Sequence, residues 1–143
     1  MDPLDLSLAP PRPPRAELAG ILFLPRSIDK VRASLPGGNL GPYAIAGFTQ
    51  TMLDALEIPL ADFTDAVRAA ATDVDVAAFV TERAKPGGIE VWHRYVLARK
   101  PRGGNIAEAI EAYPFLAGRS ELGLSLDVLE EDDRSIFARD TTT

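Results

Sequence analysis

Proline and glycine cut this chain into short pieces. Pro25, Pro36-Gly37-Gly38, Pro59, Lys85-Pro86-Gly87-Gly88 and Pro114 each interrupt a helical pattern, and Gly41-Pro42-Tyr43 and Gly118 to Gly123 read as loops. Proline lacks an amide donor and clashes with the preceding turn, and glycine loses the most backbone freedom on ordering, so both limit helix length. Between these stops apolar residues recur three and four apart, the period of a helix. No stretch shows sustained two-residue alternation bounded by hairpin turns; the nearest, Leu122 to Leu126, is interrupted by Gly123. The expected fold is all-α: a compact single domain of about six helices joined by short Pro/Gly-rich loops.

Residues 1–15 read as an extended, Pro-rich arm, residues 16–137 as the helical domain and residues 138–143 as a polar tail. Within the domain, Leu18, Ile21, Leu22, Ile28, Val31 and Leu35 fall on one side of a helical projection through Pro25. That pattern predicts two helical pieces with a break near Leu24, because an interior proline costs about 3 kcal/mol in a straight helix. Further helices are expected over 47–57, from Leu60 to Ala71, after Thr72-Asp73-Val74-Asp75 (which resembles a capping box) and over 89–100 around Trp92. Asn105 with Glu108 caps a short helix, and Ser125 opens the last one, Leu126 to about Arg134.

The 143 residues suit one core without covalent staples, and 46% hydrophobic with 25% charged residues argues against wholesale disorder. There is no cysteine and one histidine, which excludes disulfides, thiolate chemistry and a multi-histidine metal site within one subunit. No metal or cofactor is expected. The longest apolar run, Leu18 to Leu24, is too short for a membrane span, and Asp2 and Asp5 do not resemble the basic start of a secretory signal, so no membrane and a cytoplasmic address are expected.

The net charge of −6 argues against nucleic acid as the main partner, yet the distribution of charge is more informative than its sum. Pro10 to Arg32 carries five bases and two acids, Asp54 to Glu82 seven acids and one base, Arg83 to Arg102 six bases and one acid, and Glu121 to Asp140 seven acids and two bases. Basic blocks can fold against acidic ones, or pair between two copies of the chain as a homodimer.

The block Leu24-Pro25-Arg26-Ser27-Ile28-Asp29-Lys30-Val31-Arg32-Ala33-Ser34-Leu35 concentrates this problem. Arg26 and Lys30, four apart, repel on one helix face, and Asp29 can answer Arg26 or Arg32 at a spacing of three. Arg12 and Arg15 enter from the arm. Two compensations are open: the chain's own acids, either Glu130-Glu131-Asp132-Asp133 or the segment Asp62 to Asp75, or an anionic ligand held by arginine forks. The arm also contains overlapping PxxP spacings, which short sequences produce by chance and which can simply pack on the domain. Glu130 to Asp133 lacks the alternation and glycine of a calcium loop. His93 has no nucleophile beside it in the pattern, Trp92 reads as a core anchor, and the paired glycines lack phosphate-loop spacing.

The series PPRPPR, LPRSIDKVRASL, NLGPY, GF followed by LEI, and SLDVLEEDD resembles a small bacterial family of unknown function. Its pattern runs from a Pro-Arg arm through LPR-x-(I/L)-DK-x-RA and LG-x-Y to an acidic C-terminal segment. The resemblance covers most of residues 5–134 and is loosest from Gly87 to Gly118, where it rests on little beyond Trp92. It implies a soluble helical domain with no activity or cofactor to carry over, and it places Arg12, Arg15, Leu24, Pro25, Arg26, Asp29, Lys30 and Tyr43 in the family pattern.

The expected function is therefore a non-enzymatic binding or interaction module. Arg12, Arg15, Arg26, Asp29, Lys30 and Tyr43 form a charged surface for an acidic protein, a small anion or a second copy of the chain. The alternative is an enzyme with Asp29 as a carboxylate acid/base and the arginines clamping an anionic substrate. Catalysis needs Asp29 in a concave pocket, an interaction module needs an exposed patch, and burial of Arg26 and Lys30 in ion pairs points to a structural role.

Overall fold

The computed structural model describes residues 1–138, and the expected polar tail lies outside them apart from Ala138, which is helical. Seven α-helices occur among the described residues: α1 (Leu24–Ser34), α2 (Phe48–Leu56), α3 (Leu60–Ala69), α4 (Asp73–Arg83), α5 (Gly88–Ala98), α6 (Ile106–Ala112) and α7 (Ser125–Ala138). The chain divides into two compact units, residues 1–93 and the remainder from Arg94, with α5 crossing the boundary. The fold is mostly helical, as the periodicity requires.

One element departs from that expectation. Glu17–Leu18 (β1) and Ile21–Leu22 (β2) pair antiparallel, Glu17 opposite Leu22 and Leu18 opposite Ile21, where a first helical piece was predicted. The two turn residues, Ala19 and Gly20, both have positive φ (52° and 74°), as a two-residue hairpin turn demands. Leu18, Ile21 and Leu22 fit a helical stripe and a short hairpin equally well, and so short an apolar run does not separate the two. Pro25 consequently produces no kink: α1 starts at Leu24, and proline in the first turn lacks only an amide that has no helical partner there.

The reversal into α1 is made by Phe23, which is fully buried at φ 74°. A bulky residue in the left-handed region is strained and persists only where its surroundings fix it. Here the fixing is visible. The Phe23 N–H donates to Ala16 O (3.1 Å), its carbonyl accepts from Ser27 N (2.9 Å), and its ring meets Phe48 and Trp92 edge-on at 5.7 and 6.0 Å. Phe48 and Trp92 complete the triangle at 5.9 Å.

Residues 1–93 bury Ile28 and Val31 of α1, Met52, Leu53 and Leu56 of α2, Phe63 and Val67 of α3, Val76 and Val80 of α4 and Trp92 of α5. These are the residues that the helical period places inward. α3 packs against both α1 and α4. The arm contains no helix but is not loose: Leu6 is buried, Leu4 N–H donates to Arg32 O (3.3 Å), and Leu4 and Leu6 exchange hydrogen bonds with Asn39. Gly88 allows α5 to start against α2, since a β-carbon there would lie 2.6 Å from Ala55 O.

Trp92 and His93 tie α5 to the hairpin through one residue, Leu22. Trp92 Nε1 donates to Leu22 O (2.8 Å), and the Leu22 N–H donates to His93 Nε2 (3.1 Å). His93 is half-buried and acts as an acceptor.

From Arg94 onward, Val96, Ala109, Leu126 and Val128 are buried. Asn105 caps α6 by accepting from Glu108 N (3.1 Å), as its spacing predicts. At α7, Ser125 is inside the helix rather than its cap, and Asp127 takes the capping role by accepting from Leu124 N (3.1 Å). At α4 the expected capping box forms: Thr72 is the N-cap, and the Asp75 carboxylate three residues on accepts the N–H groups of Ala71 and Thr72 (3.0 and 3.1 Å).

Ala19 is an L-residue at a position where asparagine or glycine is less strained, and Asn-Gly is the preferred pair for such a turn. Ala19→Asn is expected to stabilise the protein by about 0.5–1 kcal/mol, read as a higher urea midpoint with an unchanged m-value.

Candidate functional site

The charged residues of α1 and the arm meet in the first unit. Arg26, Asp29 and Lys30 lie at i, i+3 and i+4, so they share one helix face. That face is buried. Arg26 is 1% exposed, Asp29 5% and Lys30 8%, so the solvent-facing patch expected from the sequence is not what forms. Tyr43, in the loop between α1 and α2, and Arg12 are half-buried, while Arg15 is exposed just before β1.

Asp29 belongs to Arg12. Its Oδ2 accepts from the Arg12 backbone N–H (2.7 Å), both oxygens lie 3.1–3.2 Å from Nε, and Oδ1 accepts from Nη2 at 3.0 Å. The other edge of the same guanidinium donates to Asp73 at the start of α4, Nη1 to Oδ2 at 2.6 Å and Nη2 to Oδ1 at 3.1 Å. One arginine thus bridges two carboxylates from different helices, an arrangement that its planar set of donors permits. The hydrogen bond to Asp73, followed by that to Asp29, holds the Arg12 guanidinium protonated more firmly than usual. Arg12 in turn keeps the Asp73 carboxyl below its ordinary range. Of the acidic segments considered as counter-ions, Asp62 to Asp75 reaches the arm through Asp73. Glu131, from the other, accepts from Arg119 (3.0 Å) and Arg134 (2.7 Å).

Arg26 and Lys30 lie against aromatic surfaces. The Arg26 guanidinium carbon lies 5.8 Å from the Phe23 ring centroid and 5.5 Å from that of Tyr43. Lys30 Nζ lies 5.6 and 6.0 Å from the same two rings. Cations at such distances from ring faces gain about 0.5–2 kcal/mol each. Arg26 Nη1 also donates to Arg12 O (3.3 Å), which links the aromatic-walled cations to the arm. Below them a hydrogen bond joins the buried hydroxyls of Ser27 and Thr49 (2.9 Å), fixing α1 against α2.

The structure thus joins Arg12 with Asp29, and Arg26 and Lys30 with Tyr43, as the motif grouping anticipated. It adds Asp73 and Phe23. Asp73 was legible only as part of an acidic segment, and Phe23 only as an apolar residue beside the block; its backbone conformation leaves no mark on the sequence. Both oxygens of Asp29 accept from Arg12, which places the carboxylate as that arginine's counter-ion.

Asp73 contributes stability through a lowered folded-state pKa. That contribution is complete above the unfolded carboxyl value near 3.9 and disappears as pH falls through the folded value. Both partners are about one-third exposed, so solvent screening limits the effect, and Asp73→Asn should cost about 1 kcal/mol at pH 7. Thermal or urea unfolding from pH 7 to 2 should show the wild-type advantage shrinking below about pH 4; an advantage that persists unchanged at pH 2 would contradict this account.

No helix among the described residues is long and apolar enough to cross a membrane. No curated protein matches the sequence. A family match spans residues 8–135, from the arm through α7, and includes every residue of the cluster just described. The chain belongs to the family described as Domain of unknown function (DUF5069).

Proposed function

We propose that this domain is a non-enzymatic binding module for a small anion, recognised by Arg26 and Lys30 beside the ring of Tyr43. The observation that supports the reading is the convergence of two like charges, one helical turn apart, on the same pair of aromatic rings. Two neighbouring cations complement the charge of a small anion. Arginine supplies a planar fork and lysine a compact charge, a pairing that fits the oxygens of a carboxylate or a phosphate. Both cations are buried, which restricts the reading to a small ligand rather than a protein surface; Tyr43 and Arg12 beside them are half-buried. The strain at Phe23 agrees with this placement, because strained backbone collects where a structure holds groups in position for a task. Asp29 has no proton-transfer role in this reading, and the site of action is the cytoplasm.

Inorganic phosphate added at constant ionic strength should raise the thermal midpoint of the full chain. Saturation at about a hundred times the dissociation constant corresponds to roughly 2.7 kcal/mol of added stability. Lys30→Gln should lose most of that response. If chloride at the same ionic strength stabilises the wild type as well as phosphate does, the reading is wrong.

A further inference from the structure

We propose that the cavity between α6 and the loop at residues 118–123 binds an aliphatic monocarboxylate, its chain against the apolar walls and its head group at Lys100. The proposal uses no residue of the Arg26 and Lys30 cluster, so it fails or succeeds separately from the phosphate-binding reading.

The cavity lies wholly among residues of the second unit and has a volume of about 550 Å³. Small-molecule sites usually fall between about 300 and 1,000 Å³. Short 3-10 turns at Pro101–Gly104 and Pro114–Leu116 flank α6 and pack against it. Ile106, Ala109 and Ile110 of α6 lie at i, i+3 and i+4, the spacing of a core-facing stripe. Of these three only Ala109 is buried; Ile110 is half-buried and Ile106 is 74% exposed. All three line the cavity, together with Leu116 and Leu122. The apolar stripe of α6 is thus spent largely on an open space, and its aliphatic walls suit a flexible hydrocarbon chain.

Two cations also line the cavity, Lys100 and Arg119, and they differ in what they can offer. Arg119 Nε donates to Glu121 (2.9 Å) and its Nη1 pairs with Glu131 of α7 (3.0 Å). Its charge is answered, and these contacts brace the loop against α7. Lys100 is exposed, and among the described residues no acid pairs with its ammonium. It sits in the run Arg99-Lys100-Pro101-Arg102, which holds three bases and no acid. Positive potential beside an aliphatic cavity selects a ligand with a hydrocarbon body and a negative head. One open ammonium, a compact point charge, matches the single charge of a carboxylate better than the double charge of a phosphate ester.

The test is calorimetric titration of the full chain with butyrate, hexanoate, octanoate and decanoate at constant pH and ionic strength. Affinity should rise about fourfold for each methylene that the cavity buries. Octan-1-ol, which has the chain without the charge, should bind about threefold more weakly than octanoate, the scale of one exposed ion pair. Lys100→Gln should abolish that preference and leave octan-1-ol binding unchanged, whereas Ile106→Ser should weaken both ligands. Both side chains are exposed, so neither substitution removes a core contact, and the comparisons on the wild type need no variant at all. No binding, or an affinity independent of chain length, would overturn the site. Equal binding of octanoate and octan-1-ol by the wild type would overturn the carboxylate and the role of Lys100.

Discussion

Three chain segments far apart in sequence are joined at one guanidinium. Arg12 comes from a proline-rich stretch with no secondary structure of its own, yet its donors reach Asp29 on α1 and Asp73 on α4. Removing a carboxylate such as Asp29 from water is unfavourable unless a cation and hydrogen bonds replace the solvent, and Arg12 supplies both. The arm is therefore part of the packed structure, and the charge on α1 is divided. Its acid faces the arm, while two of its three bases, Arg26 and Lys30, lie beside Phe23 and Tyr43.

A second constraint acts through the backbone. The hairpin of β1 and β2 is only two residues wide on each side, too little to be stable alone. It is held because Trp92 and His93 grip the carbonyl and the N–H of Leu22 and because the ring of the next residue, Phe23, completes a triangle with Phe48 and Trp92. The same turn of chain that closes the hairpin starts α1. The position of Arg26 and Lys30 thus follows from the reversal at Phe23.

Much of this was legible in the sequence. Helical period and Pro/Gly stops located α2 through α7 because those signals are local, and each helix buries the stripe that its pattern marks. The hairpin was not legible, since Leu18, Ile21 and Leu22 satisfy both periods and the deciding feature is a pair of positive φ angles, one of them at an alanine. The grouping of Arg12, Arg26, Asp29, Lys30 and Tyr43 came from charge and motif, whereas their burial came from tertiary packing that no local pattern encodes. Asp73 shows the same limit. As one of several acids in its block, nothing but its position at the start of α4 distinguishes it as the partner of Arg12.

Phe23 joins a main-chain shape that glycine would adopt with less strain to a ring that glycine lacks. The ring outweighs the strain: emptying a buried phenylalanine site costs about 3–5 kcal/mol, against about 1–3 kcal/mol stored in a backbone of this shape. A more permissive residue would relax the turn and lose both the aromatic triangle and the wall beside Arg26 and Lys30. At position 23 the scaffold and its charged cluster therefore stand or fall together.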